Sequence, residues 1–174
     1  MTNKRPAVQG ESKQRRPFHS GGAEVAVGVL RTAAILERQY NQIVTKRGVT
    51  IQQYNVLRIL RGAGAGGMPT LVIRDRMIHE APGITRLVDK LEQSGLARRE
   101  RQEFDRRQVL CYITEKGMGL LADLEAEIIA ADDAAVSMLD SEQRLLLLEL
   151  LTAVRAGHAR GPAATASSGV GDSF

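Results

Sequence analysis

The sequence predicts a mainly α protein with one small β-hairpin, and three observations carry that expectation. The 174 residues are 43% hydrophobic but only 3% aromatic, with no Trp, so the core must be packed from Leu, Ile, Val and Ala. Such a composition favours helices over a β-sandwich. Through most of the chain the apolar residues recur at spacings of three and four, the period of a helix. The exceptions are two short runs, Leu96 to Glu100 and Val109 to Ile113, which read as strands joined by a polar loop.

Residues 1–22 hold Lys4, Arg5, Lys13, Arg15 and Arg16 among polar residues and Gly. They cannot bury enough surface to order themselves and read as a basic arm, able to touch phosphates or simply solvated. The first helix is expected from about Ala23 to Lys46, with Val25, Val29, Ala33, Leu36, Tyr40 and Ile43 on one stripe. A second should start at Thr50, because Thr50 and Gln53 have the spacing of a capping box; its core face is Tyr54, Leu57 and Leu60. Gly62 to Gly67 then breaks it. The run satisfies G-x-G-x-x-G, but that pattern cradles a pyrophosphate only when a strand feeds it and a helix follows. Here a helix feeds it and Pro69 follows, so it reads as a flexible connector.

Thr70 to Met77 and Pro82 to about Gln93 are the next two helices, with Pro82 in the first turn and Gly95 at the left-handed position that ends a helix. Thr114 can cap a long helix carrying Leu120, Leu121, Leu124, Ile128 and Ala131. Asp140, with Gln143 three residues on, can cap a last one ending near Gly157. The leucines at 145–148, 150 and 151 surround most of that helix, which fits burial on several sides. Residues 157–174 are a Gly/Ala/Ser-rich tail.

A formal charge of +4 permits a nucleic acid partner without requiring one. The one cysteine, Cys111, excludes an internal disulfide and an all-Cys metal site, and suits a reducing compartment. No apolar run approaches the roughly 18 residues of a membrane span, and the basic N-terminus lacks a signal-peptide core, so a cytoplasmic protein is expected. His19, His79 and His158 lie far apart, and no His/Cys/Asp cluster has metal-ligand spacing. Neither a nucleophile–base pair nor a correctly framed nucleotide loop is present, so no catalytic residue, metal or cofactor is assigned and an enzyme is not expected.

The segment from Ile84 to Gly117 holds T-R-L-V-D-K-L-E, then G-L, then Arg99, five residues, D-R-R at Asp105 to Arg107, and T-x-x-G at Thr114 to Gly117. Together these closely resemble the recognition helix and wing of the MarR family of transcription regulators, and the likeness extends over roughly Ala23 to Ala156. The resemblance implies a winged helix-turn-helix lobe at 49–113, between an N-terminal dimerisation helix at 23–48 and C-terminal dimerisation helices at 114–156. It also implies a homodimer, with Val29, Leu36, Leu145, Leu148 and Leu151 expected at the interface. Relatives usually repress nearby genes and release double-stranded DNA when a small effector binds between the lobes and the dimer region. Two departures stand out. Ile73-Arg74 replaces the customary Leu-Ala pair that packs on the recognition helix, and His79 replaces an apolar residue, so looser or shifted packing is expected there.

A helix in the major groove presents its N-terminal residues to base edges. Those are Pro82, Gly83, Thr85 and Arg86, with Lys90 one turn on. Arg86 can donate two hydrogen bonds to guanine, and Lys90 can meet phosphate or base. On the wing, the resemblance makes Arg107 the residue inserted into the minor groove. Asp105 would brace the tip by pairing with Arg99 or Arg107, or merely start the turn. Arg98, Arg99, Arg101 and Arg106 add charge suited to phosphates. An effector pocket lined by Tyr40, Tyr54 and Leu57 competes with ordinary core packing of the same residues. Cys111, among apolar neighbours in a strand, reads as a buried structural thiol in preference to an oxidation sensor. The alternative function is a winged-helix interaction module without operator specificity.

Overall fold

Ser20 starts the first helix: its Oγ accepts from the Ala23 N–H at 3.1 Å, and α1 runs Gly21–Thr45. The helix thus begins two residues before the expected Ala23, because a serine cap can hold the two glycines that follow it. The computed structural model describes residues 20–79, 81–101 and 109–159. The basic arm before residue 20, the wing tip with Asp105, Arg106 and Arg107, and the tail after residue 159 lie outside the described residues. Of the α1 stripe only Ile43, at the C-terminal end, is buried by this chain, together with Val44; Val29, Leu36 and Tyr40 are half-buried and Val25 is exposed.

α2 (Ile51–Ala63) opens with the reciprocal capping box anticipated at Thr50. The Gln53 N–H donates to Thr50 Oγ1 at 3.2 Å, and the Thr50 N–H donates to Gln53 Oε1 at 2.9 Å. Tyr54, Leu57 and Leu60 are buried as expected, and Val56 and Gln53 join them. The glycine run is not devoid of regular structure. Gly64–Gly66 make a 3₁₀ turn, and Met68–Pro69 form a short strand, β1.

β1 completes a three-stranded antiparallel sheet with β2 (Ala97–Arg101) and β3 (Val109–Ile113), in the order β1-β3-β2. Met68 pairs with Cys111 and Pro69 with Leu110. Only a hairpin is expected from the sequence, because a two-residue strand containing Pro shows no alternation; at the sheet edge Pro is tolerated. Cys111, in the central strand, has no exposed surface, in agreement with the structural-thiol reading.

α3 (Thr70–Arg76) is followed by α4 (Ile84–Gln93). Pro82 is not in the first turn of α4, as expected from the sequence, but ahead of it: the Ile84 N–H donates to the Ala81 carbonyl at 3.0 Å. That bond closes a β-turn with Pro82 at its second position, where the fixed proline φ is favourable. The other end of α4 follows the sequence expectation. Gly95 has φ +69°, its N–H donates to the Glu92 carbonyl (2.9 Å), and the Leu96 N–H donates to the Leu91 carbonyl (2.8 Å). This pair of bonds is a Schellman motif, with Leu91 and Leu96 both buried beneath it.

α5 (Glu115–Ala135) is tied to that helix end through Thr114. The Thr114 hydroxyl donates to the Gly95 carbonyl (2.7 Å) and accepts from the Gly117 N–H (3.1 Å), while Lys116 Nζ donates to the Ser94 carbonyl (2.8 Å). Leu121, Leu124, Ile128 and Ala131 are buried and Leu120 is half-buried. α6 (Ser141–Ala159) starts with a second capping box, between Asp140 and Gln143. The chain divides into two compact units between Asp132 and Asp133. The core of the first is built on Val56, Leu57, Ile73, Val88, Leu91 and Leu124. In the second, α6 exposes Leu145 (64%) and Leu148 (61%) to solvent, so within one chain the leucine-rich helix is not buried on several sides. No helix among the described residues is long and apolar enough to cross a membrane.

Candidate nucleic-acid interface

The sequence of α4 sorts its residues onto two faces. Ile84, Val88 and Leu91, at the spacing of one helical stripe, are buried. Full burial of each contributes on the order of 1.5–3 kcal/mol to seating the helix. The opposite face carries Thr85, Arg86 and Lys90, all exposed, and the turn before it exposes Pro82 and Gly83. No side chain caps the α4 N-terminus, where the Ile84 N–H has its partner outside the helix, the Ala81 carbonyl. Neither Arg86 nor Lys90 has a carboxylate within ion-pair distance among the described residues. The helix tip therefore presents unneutralised cations to solvent.

β2 meets this helix through Arg99. Its Nη1 donates to Asp89 Oδ1 at 2.5 Å and to Glu92 Oε2 at 3.3 Å, and its Nη2 donates to the Thr85 carbonyl at 3.1 Å. Its backbone N–H donates to Glu92 Oε1 at 3.0 Å. Burial works against the charge, but the hydrogen bond to Asp89 and the two carboxylates outweigh it and hold the Arg99 pKa above its ordinary value. Arg99 thus finds its anionic partners on α4, whereas the sequence offered Asp105, which lies outside the described residues. Arg98 points the other way, stacked 4.4 Å from the Tyr112 ring centroid and paired with Glu100.

Arg101 ends the described part of β2, exposed and with no ion pair among the described residues. It shares a cleft of about 410 Å³ between α4 and the sheet with Thr70, Thr85, Arg99 and Val109. The structure therefore brings Thr85, Arg99 and Arg101 together, and adds Thr70, which no sequence signal singled out. Thr70 Oγ1 lies 3.5 Å from the Cys111 sulfur. Ile73, of the atypical Ile73-Arg74 pair, has no exposed surface; Arg74 turns outward to pair with Asp75 at 3.0 Å. His79 is exposed, 3.7 Å from Glu37 of α1.

A second site lies among α1, α2 and α5. A cavity of about 450 Å³ takes polar groups from Tyr40, Tyr54, Arg58 and Asp132 and aliphatic walls including Ile51, Ile78 and Ile128. Tyr40 and Tyr54 line it as the sequence suggested; Leu57 does not, being fully buried in the core behind. Asp132, although exposed, accepts a 2.6 Å hydrogen bond from the Tyr40 hydroxyl. Burial, with that bond and the Asp132 charge, pushes the Tyr40 pKa up to about 12. Burial likewise raises Tyr54, against the opposing pull of Arg58, whose guanidinium sits 5.8 Å from the Tyr54 ring centroid. Only tertiary contact pairs residues 92 apart in sequence, which is why Asp132 and Arg58 carry no local signal.

Comparison with known proteins agrees with this geometry. The family model for the transcriptional regulators SarA/Rot matches residues 38–124, half of the chain. The HTH-type transcriptional regulator MhqR of Bacillus subtilis is 33% identical over 132 residues, spanning 72% of this chain and 90% of that protein. Among solved structures, a MarR transcription factor from Planctomyces limnophilus is 34% identical with a TM-score of 0.60, covering 78% of this chain and 98% of that one. NadR, solved in complex with 4-hydroxyphenylacetate, is 27% identical with a TM-score of 0.64, covering 80% and 97%. This chain belongs to the MarR family of winged-helix transcriptional regulators.

Proposed function

We propose that the protein is a homodimeric, sequence-specific repressor of transcription that acts in the cytoplasm on a pseudo-palindromic operator and is relieved by a small effector. The observation that carries this reading is the tip of α4. Arg86 and Thr85 are exposed at this uncapped helix start, with no carboxylate within ion-pair distance of Arg86 among the described residues, and Arg99 holds the wing strand beside them. Arg86 reads guanine in the major groove and Lys90 meets the backbone. Arg101, Arg106 and Arg107 carry the wing's contact to phosphates and the narrow minor groove. Arg99 acts here as a positioning residue, with its charge committed to Asp89 and Glu92.

Dimerisation joins residues 23–48 and 114–156 of two copies, through Val29 and Leu36 of α1 and Leu145, Leu148 and Leu151 of α6. Support comes from the exposed apolar side chains of these helices, which a monomer would leave in water. The cavity around Tyr40, Tyr54 and Arg58 is the effector site, and the NadR complex with 4-hydroxyphenylacetate supports a small organic effector.

Gel shifts with the DNA upstream of the protein's own gene test the reading. Nanomolar binding that exceeds binding to random DNA is expected. Arg86→Ala should narrow that preference by roughly 5- to 150-fold, the worth of one bidentate base contact. Arg107→Ala should weaken operator binding at least tenfold with the dimer intact. Equal affinity for all sequences would instead favour an interaction module on the same fold.

A further inference from the structure

Arg98 and Arg99 of β2 project to opposite faces of the strand, because side chains alternate along a β-strand. Arg99 is bridged to α4. Arg98, on the other face, holds its guanidinium 4.4 Å from the centroid of the Tyr112 ring, its cross-strand partner in register. Glu100, two residues on and so on the same face, pairs with Arg98. β3 is the central strand, so Tyr112 has a neighbour on its second side as well. That neighbour is Gly67, the last residue of the glycine run, next to the Met68 that pairs with Cys111. A Cβ at Gly67 would lie 2.5 Å from Tyr112 Cε1 and 2.6 Å from Cζ, so the ring fills the space of the missing side chain. Gly67 also has φ +63°, which glycine adopts without strain. An aromatic ring laid over a glycine of the adjacent strand restores packing that the glycine lacks. The last glycine of the run is therefore a seat for Tyr112.

We propose that Tyr112 is a positioning residue for DNA binding: seated on Gly67 and covered by Arg98, it fixes the roll of β2 and thereby aims Arg101 at the DNA backbone. The proposal rests on the reading of β2 as the wing strand of a DNA-binding lobe. Among the described residues β2 is an edge strand with β3 as its one neighbour in the sheet, and a strand held along one side can roll about its own axis. The bridge from Arg99 to α4 resists that motion from one face only. Arg98 on Tyr112 supplies the clamp on the other face, and Gly67 ties the ring to the turn that leads into β1 and α3. Arg101 stands two residues beyond Arg99, hence on the same face. It is exposed and without an ion pair among the described residues, so its direction follows the roll of the strand. Arg98 serves here as a packing partner, with its charge engaged by Glu100 and the ring.

Anisotropy of a labelled duplex carrying the DNA upstream of the protein's own gene, titrated with the full-length protein, tests this. Tyr112→Val should weaken binding about two- to fivefold, the strength of one exposed cation–π contact. Tyr112→Phe keeps the ring and should bind as the unaltered protein does. Gly67→Ala pushes the ring off its seat and should act like Tyr112→Val. In an Arg101→Ala background neither Tyr112→Val nor Gly67→Ala should cause a further loss, because the group they aim is gone. A general loosening of the lobe would weaken that background equally. In NMR of the unaltered protein, the Arg98 side-chain protons should be shifted upfield by the Tyr112 ring current, a measurement that needs no variant. The proposal is overturned if those protons are unshifted, if Tyr112→Val binds DNA fully, if Tyr112→Phe is as weak as Tyr112→Val, or if the losses persist beside Arg101→Ala. Each of these results leaves the DNA-binding reading in place, provided that Arg101→Ala itself weakens the complex. Arg101→Ala without effect, or no binding by the unaltered protein, would remove the wing contact and the proposal with it.

Discussion

A guanidinium bridging two carboxylates is held in one geometry, and Arg99 is such a bridge between β2 and α4. Its fork of donors reaches Asp89, Glu92 and the Thr85 carbonyl together, which an ammonium on a flexible stem cannot reproduce. Arg99→Ala should therefore lower stability by about 1–3 kcal/mol in denaturant unfolding, the range for partly buried charged hydrogen bonds. It should also weaken DNA binding, and Arg99→Lys should restore neither; full recovery with lysine would show that charge alone matters there. Tyr40 gives a pH-dependent check on the proposed effector cavity. Its pKa of about 12 lies above the ordinary value near 10, so the neutral phenol is favoured in the folded state. The resulting stabilisation is complete below pH 10 and is lost as pH rises from about 10 to about 12. By NMR the Tyr40 ring should show no ionisation below about pH 11, and Asp132→Asn should lower its pKa. Ionisation near pH 10 in the unaltered protein would mean the bond to Asp132 does not persist in solution.

At the scale of elements, the seat of the recognition helix depends on backbone meeting backbone. Gly117, in the first turn of α5, lies so close to the end of α4 that a Cβ there would collide with the Leu96 carbonyl oxygen and the Ile113 side chain. Gly117→Ala must push α5 away from the sheet, with an expected loss of about 1–3 kcal/mol measured by thermal unfolding. Unchanged stability would show that the two elements are not packed this closely. The devices legible in the sequence are those written within a few residues. Thr50 with Gln53, Asp140 with Gln143, and the left-handed Gly95 each satisfy helix-end groups locally, and all three are found in place. β1 is not legible because two residues with one Pro carry no period, and Pro82 is misplaced because it suits a turn as well as a first helical turn. The partners of Arg99 and Asp132 are hidden for another reason: each depends on which elements the fold brings side by side.

For the whole molecule, the fold class and the two-faced α4 follow from composition and periodicity, whereas the apolar surface of α6 has meaning only beyond one chain. Its leucines face water on every side, a state that a second copy would relieve. Leu148→Asp would place a charge in the proposed dimer interface, and sedimentation should show a dimer for the unaltered protein and dissociation for the variant at the same concentration. A stable dimer would move the interface elsewhere. Two copies related by a two-fold axis would carry two Arg86 tips, and such a pair can engage successive major grooves about 34–36 Å apart. Selection from a pool of random DNA duplexes by the full-length protein tests this most directly. The enriched sites should contain an inverted repeat with half-site centres about 10–10.5 base pairs apart. Enrichment of a lone half-site, or of no motif at all, would contradict it.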